Sequence, residues 1–165
     1  MKKFLTFAAF LAVFATSFAH AEGRLGVQTS LQTLTAGRSA QLTPTIGVAY
    51  FDDGYAVGLG ASYMSNSGAS TTNSLAVGLN LELRSRLTSD IMFGYGIQGN
   101  YFNDKLSTAQ WNVGLALNFE TEIADSLLAS FTLIPVSWTT GVTNGVKTDT
   151  ISVGGAGAGV TYFFN

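Results

Sequence analysis

Residues 109–120 alternate strictly between bulky apolar side chains and small or polar ones. The bulky set is Ala109, Trp111, Val113, Leu115, Leu117 and Phe119, and the other set is Gln110, Asn112, Gly114, Ala116, Asn118 and Glu120. Because successive side chains leave a strand on opposite faces, this period of two predicts a β-strand with one apolar face. The segment is about as long as a tilted strand that crosses a bilayer, and longer than a typical soluble strand.

Seven further segments show the same kind of pattern. They are 24–34, 40–51, 55–64, 74–84, 91–101, 127–136 and 149–164. Asp52-Asp53-Gly54 and the links 85–90 and 121–126 are short, whereas 65–73 and 137–148 read as longer loops. Short turns at one end and longer loops at the other are typical of bacterial barrels, with the short turns periplasmic. The sequence therefore predicts an all-β protein, a transmembrane antiparallel up-and-down β-barrel of eight strands.

The eighth segment changes parity along its length, since its apolar residues fall on odd positions before the run 154–159 and on even positions after it. A strand keeps one parity unless a residue is inserted. The glycines of this run therefore predict a bulge or kink.

The N-terminus has the organisation of a secretory signal peptide. Lys2 and Lys3 precede an apolar stretch from Phe4 to Phe18, and Ala19-His20-Ala21 has the form of a cleavage site. The apolar stretch is shorter than the roughly 20 residues that a spanning helix needs. We therefore expect 1–21 to be removed, leaving 22–165 as one barrel domain.

The composition suits a membrane better than water. The chain is 47% hydrophobic and 11% charged, whereas soluble domains average about 25% charged. It contains no cysteine, which excludes disulfides and thiol chemistry. Without Lys2 and Lys3, six basic residues face ten acidic ones, a balance that argues against nucleic acid as a partner. An exported chain of this kind is expected in the bacterial outer membrane.

Residue size decides which face of each strand meets lipid. The interior of an eight-stranded barrel is only wide enough for side chains to fill, so the bulky set must face outward. A soluble lipocalin-like barrel, with that set inside, fits poorly. On the outer face, aromatic residues near the strand ends predict two interface belts. The periplasmic belt is Tyr50, Tyr55, Phe93, Phe119 and Tyr162, and the belt at the loop end is Tyr63, Tyr101 and Trp111.

Four charged residues have inward parity near the periplasmic end: Glu82, Arg84, Glu120 and Arg24. A basic side chain on the lipid face costs about 2–4 kcal/mol at the midplane, so inward placement is expected. We predict an ion-pair and hydrogen-bond cluster across the lumen, with Glu82 and Arg84 reaching Glu120 as its core. The alternative is that each charge lies at the water boundary and is simply solvated.

The last residues carry a family resemblance. Val160, Tyr162 and Phe164 alternate and end on an aromatic ring, which looks like the C-terminal signal by which outer-membrane barrels are recognised for insertion. With the signal peptide and eight strands, the chain resembles small OmpA/OmpX-type outer-membrane β-barrels of Gram-negative bacteria, although Asn165 follows the aromatic residue. The resemblance implies outer-membrane lipids and lipopolysaccharide as surroundings. It also implies the barrel-assembly machinery and periplasmic chaperones as partners during insertion, and a monomer as the final state.

The sequence contains few residues that could catalyse a reaction or bind a metal. The only histidine is His20, within the signal peptide, so the mature chain lacks the Ser–His pairing of outer-membrane lipases and any zinc site of His/Cys type. Asp52-Asp53 reads as a turn. We therefore expect no enzyme, metal or cofactor. The first interpretation is a non-enzymatic structural or surface protein; the alternatives are a narrow pore for ions or small polar solutes, and an adhesin that uses loops 65–73 and 137–148.

Overall fold

Ten β-segments make up the part of the chain that the computed structural model describes, residues 23–36, 39–67, 71–103, 108–143 and 145–164. They are β1 (Arg24–Ala36), β2 (Ser39–Phe51), β3 (Tyr55–Ser67), β4 (Thr71–Arg86), β5 (Ile91–Asn103), β6 (Thr108–Ala124), β7 (Leu127–Leu133), β8 (Val136–Thr143), β9 (Val146–Val153) and β10 (Ala156–Phe163). The predicted signal peptide and the centre of the predicted loop 65–73 lie outside the described residues. Among those residues no helix has the length and apolarity needed to cross a membrane.

The segments close into one barrel. Each of β1 to β6 pairs antiparallel with the next, and β10 pairs with β1, for example Val27 with Tyr162. Segment β6 pairs with β7 over its second half and with β8 over its first half. Because β7 and β8 form one barrel strand, and β9 and β10 form another, the barrel has eight strands. The predicted all-β architecture is confirmed.

The two composite strands are interrupted side by side. Ile134 and Gly155 exchange backbone hydrogen bonds of 2.8 and 2.9 Å, and the Gly154 N–H donates to the Pro135 carbonyl at 3.1 Å. Gly154 has φ +83°, a left-handed conformation that glycine adopts without steric cost. In both composite strands, the residues that face inward change between even and odd numbers at this level. In the first strand the change occurs between Thr132 and Ser137. The kink predicted from the glycine run lies at Gly154–Gly155.

One predicted loop is a hairpin. Residues 137–148 were expected to be irregular, but β8 and β9 pair across this stretch from Val136–Val153 to Thr143–Val146. Its Ser, Thr and Gly residues suggested a loop, and the cross-strand pairing with β6 extends the sheet in spite of that composition.

The outer and inner faces differ as residue size predicts. Outward side chains such as Ile46, Leu83, Ile97 and Leu115 are 51–65% exposed. Two groups of buried residues lie inside: an apolar group of Ala49, Phe51, Ala56, Leu128 and Phe163, and a polar group that includes Glu82, Gln98, Asn118 and Glu120. We name the end with the links 52–54, 87–90 and 125–126 the turn end, and the opposite end the loop end.

Of the eight residues in the predicted aromatic belts, three are exposed, four are half-buried and one is buried. Tyr162, Tyr63 and Trp111 are 53–62% exposed. Ring centroids lie 5.3 Å apart for Phe93–Phe119 at the turn end and 4.8 Å apart for Tyr101–Trp111 towards the loop end. The buried residue is Tyr50, which lies in an outward-facing row but is only 2% exposed. Its hydroxyl accepts the Gly23 N–H at 3.2 Å, and its ring lies 5.9 Å from that of Tyr55.

Candidate functional site in the barrel lumen

Two glycines of β5 make room for contacts across the turn end of the lumen. Arg84 on β4 is opposite Gly94, and Glu82 is opposite Gly96. A Cβ atom on Gly94 would lie 3.1 Å from the Glu82 Oε2 atom. Because β5 presents no side chain here, residues of β4 can reach over it to β6.

Arg84 uses this gap to bind Glu120 of β6. Its Nε and Nη2 atoms donate to the Glu120 Oε2 atom at 3.0 and 2.5 Å, and its Nη1 atom donates to the Asp52 carbonyl at 2.7 Å. The two side chains are 8% and 3% exposed. The Arg84 guanidinium also lies 4.8 Å from the centre of the Phe51 ring. A buried pair of this kind forms only when hydrogen bonds compensate for the lost hydration, as they do here.

Glu82 is bound by amides instead of by Arg84. Its Oε2 atom accepts a hydrogen bond from the Asn118 side chain and a long one, 3.5 Å, from Asn80 Nδ2. Asn118 in turn accepts from the Thr132 hydroxyl at 2.5 Å. Glu82 is 5% exposed. The structure thus brings Glu82, Arg84 and Glu120 into one layer, with an ion pair on one side and an amide network on the other.

Arg24 departs from the predicted cluster. It pairs with Glu122, donates to the Asp125 carbonyl at 2.6 Å, and stacks 3.8 Å from the centre of the Phe163 ring. Arg24 and Glu122 are 38% and 56% exposed. Arg24 is the first residue of β1, so the register places it at the rim of the turn end, beyond the reach of Glu120. Glu122 lies two residues after Glu120 on β6 and so faces the same side of the strand. This spacing could have predicted that Glu122 joins the charged residues of the turn end.

An aromatic pair that the sequence did not single out fills the same end. The Phe51 and Phe163 rings meet edge to face at 5.4 Å, and they are 7% and 2% exposed. Leu128, 3% exposed, belongs to the same apolar group. Phe51 and Phe163 occupy inward-facing positions at the ends of β2 and β10, and this alternation could have predicted the pair. Large residues were expected to point outward instead.

Two cavities lie on either side of this layer. The turn-end cavity has about 480 Å³ and is lined by Arg84 and Glu120 among others. A smaller one of about 40 Å³ lies on the loop side and is lined by polar side chains that include Asn80, Gln98 and Asn100. Along β4, Glu82 lies between Arg84, which lines the turn-end cavity, and Asn80, which lines the smaller one. The Asn80 Oδ1 and Asn100 Nδ2 atoms have no hydrogen-bond partner among the residues that the structure describes, which marks the smaller cavity as polar. Across the described ranges no three His, Cys, Asp or Glu residues are grouped as a metal site.

The exposed C-terminal row retains the predicted pattern. Val160, Tyr162 and Phe164 are 36%, 53% and 58% exposed on the outer face, and the Tyr162 and Phe164 rings lie 6.0 Å apart. Phe163 between them points inward.

Comparison with known proteins identifies the fold. No protein-family model and no curated protein matches the chain. Among solved structures, Neisserial surface protein A matches with a TM-score of 0.57 and 14% identity, covering 86% of this chain and 97% of that one. A major outer membrane protein from Thermus thermophilus (TM-score 0.45, 14% identity, 88% and 100% covered) and the Yersinia pestis outer membrane protein Ail (0.41, 12%, 87% and 100%) also match. The chain has the fold of small eight-stranded outer-membrane β-barrels.

Proposed function

We propose that the chain is an integral outer-membrane protein with a closed lumen and a non-enzymatic structural or surface role. The observation that carries this proposal is the buried layer of Glu82, Arg84 and Glu120 together with the Phe51–Phe163 pair. These five residues are between 2% and 8% exposed. Because Arg84 is bonded to Glu120, Glu82 is bonded to an amide network and the two aromatic rings pack on each other, we infer that the lumen has no continuous path for hydrated ions.

The outer face supports the membrane location. Apolar side chains are exposed around the barrel, and exposed aromatic residues occur near both ends. Contiguous apolar surface of this kind marks contact with lipid or protein, and belts of aromatic rings are a feature of membrane barrels. The turn end is then periplasmic. Migration on unboiled gels tests the barrel: we expect the folded form to run apart from the boiled form, and a single band in both conditions contradicts a stable barrel.

The second candidate is a narrow pore, favoured by the polar cavity on the loop side of the layer. Planar bilayer recordings distinguish it from the closed barrel. We expect no stepwise conductance from the wild-type protein. The variant Arg84→Ala tests the layer directly, with Arg24→Ala at the solvated rim as the matched control. Steady wild-type steps whose ion selectivity changes in Arg84→Ala but not in Arg24→Ala would establish the pore and overturn the closed-lumen proposal.

The third candidate is a partner-binding surface protein, favoured by the β8–β9 hairpin. All residues of β9 except Ser152 are exposed, and β9 pairs only with β8 among the described residues. The β1–β10 pairing ends at Gln32–Gly157, so β9 continues beyond it. Binding of the intact protein to host-cell surface preparations, lost when 139–150 are replaced by a two-residue Asn-Gly turn, would favour this role over a purely structural one.

A further inference from the structure

The closed-lumen proposal assigns no role to the turn-end cavity. Its volume of about 480 Å³ falls within the range of small-molecule sites, roughly 300–1,000 Å³. Phe51, Phe163 and Leu128 give it an apolar floor, and charged side chains give it a polar rim. Such a lining suits a ligand with a hydrocarbon stretch between charged groups.

The charges that line this cavity do not balance. The carboxylates are Asp52, Asp53, Asp90, Glu120 and Glu122, and the guanidinium groups are Arg24, Arg84 and Arg86. Two ion pairs take up Glu120 and Glu122, which leaves three aspartates facing one arginine. An excess of negative charge in a concave site with low-dielectric walls concentrates cations there.

A carboxylate oxygen that faces the cavity offers a binding contact independently of the rim. Glu120 is 3% exposed and lines the cavity. Both hydrogen bonds from Arg84 end on its Oε2 atom. The Oε1 atom has no hydrogen-bond partner within the described part of the chain, and it is open to the cavity and not enclosed by protein. A donor that enters the cavity can therefore replace water and form a charge-assisted hydrogen bond with this oxygen.

The positions of the three rim aspartates decide what kind of cation fits. Asp52 and Asp53 lie on the link between β2 and β3, whereas Asp90 lies on the link between β4 and β5. Charges on separate links suit a cation whose own charges are separated. We propose that the turn-end cavity binds a linear polyamine. One ammonium group donates to Glu120 Oε1, the others pair with the aspartates of the rim, and the methylene groups pack on Phe163 and Leu128.

Calorimetric titration of spermidine into the full chain, folded in zwitterionic detergent micelles at low salt, tests this proposal. The variant Asp53→Asn/Asp90→Asn removes two rim charges. The matched control Asp125→Asn/Asp149→Asn changes the net charge equally at exposed positions outside the cavity. We expect the first variant to weaken spermidine binding about tenfold and the control to leave it unchanged. Heat-dependent gel migration checks that both variants fold.

Two comparison ligands complete the test. n-Butylamine carries one ammonium group and Mg²⁺ is a point charge, so both are expected to bind more weakly than spermidine. Equal weakening by the two double variants would show attraction by net charge alone and overturn the site. Mg²⁺ binding as tight as that of spermidine, or no spermidine binding to the wild-type protein, would overturn the polyamine assignment.

Discussion

Replacing Arg84 by Met should cost far more stability than replacing Arg24 by Met. Arg84 makes two bonds to Glu120 and one to the Asp52 carbonyl, in a position that is 8% exposed. Its loss leaves the Glu120 carboxylate buried without its cation, and removing one member of a buried pair costs about 3–5 kcal/mol. Arg24 and Glu122 are more than a third exposed, and water screens such pairs to about 0–1 kcal/mol.

A double-mutant cycle separates the ion pair from general packing. Arg84→Met and Glu120→Gln each leave one unpaired buried charge, whereas the double variant leaves none. We therefore expect the double variant to be less destabilised than the sum of the two single variants by about 2 kcal/mol or more. Urea unfolding from phospholipid vesicles measures these free energies. Trp111 and Trp138, 58% and 47% exposed on the outer face, report loss of the lipid-facing strand structure by fluorescence.

Two outcomes would refute this reasoning. Additive single and double variants would show that Arg84 and Glu120 do not interact energetically. A cost for Arg84→Met no larger than that for Arg24→Met would show that the lumen at this level is hydrated, as in the alternative of separately solvated charges.

Two further pairs of variants test the packing. Gly96→Ala should destabilise the barrel by about 1–3 kcal/mol, because the new Cβ atom would overlap the Leu81 carbonyl oxygen, whereas Gly99→Ala meets nothing within 4 Å and should change little; equal urea midpoints would contradict the close approach. Phe163→Ala should cost about 3–5 kcal/mol because the ring is 2% exposed, whereas the 58% exposed Phe164 should cost less in the folded barrel. The reverse order in thermal unfolding would contradict the inward plug.

The strand pattern and the direction of each face could be predicted from residues that are close in sequence. Leu115 and Asn118 belong to opposite faces because neighbouring side chains alternate, and this alternation holds within any single strand. The prediction failed where a local signal is ambiguous. Residues 137–148 read as a loop because Ser, Thr and Gly occur in both turns and strands, and pairing with a neighbouring strand decided between them.

Large inward residues were the second failure. Phe51 and Phe163 were not expected inside because size was the criterion for facing lipid, yet their rings fit where the inward side chains nearby, Ala49 and Ala56, are small. Volume at one level of a barrel depends on the residues that all eight strands bring to that level. A single strand carries no information on that sum.

The sequence by itself determined that this chain forms amphipathic strands with an apolar outer face, and that its charges near the turn end face inward. Only the tertiary structure decided the partners. Arg84 binds Glu120 because the register of β4, β5 and β6 places Gly94 between them, and Arg24 binds Glu122 because β1 begins at the rim. Alternation is a property of neighbouring residues, whereas register and closure join residues 36 and 98 positions apart.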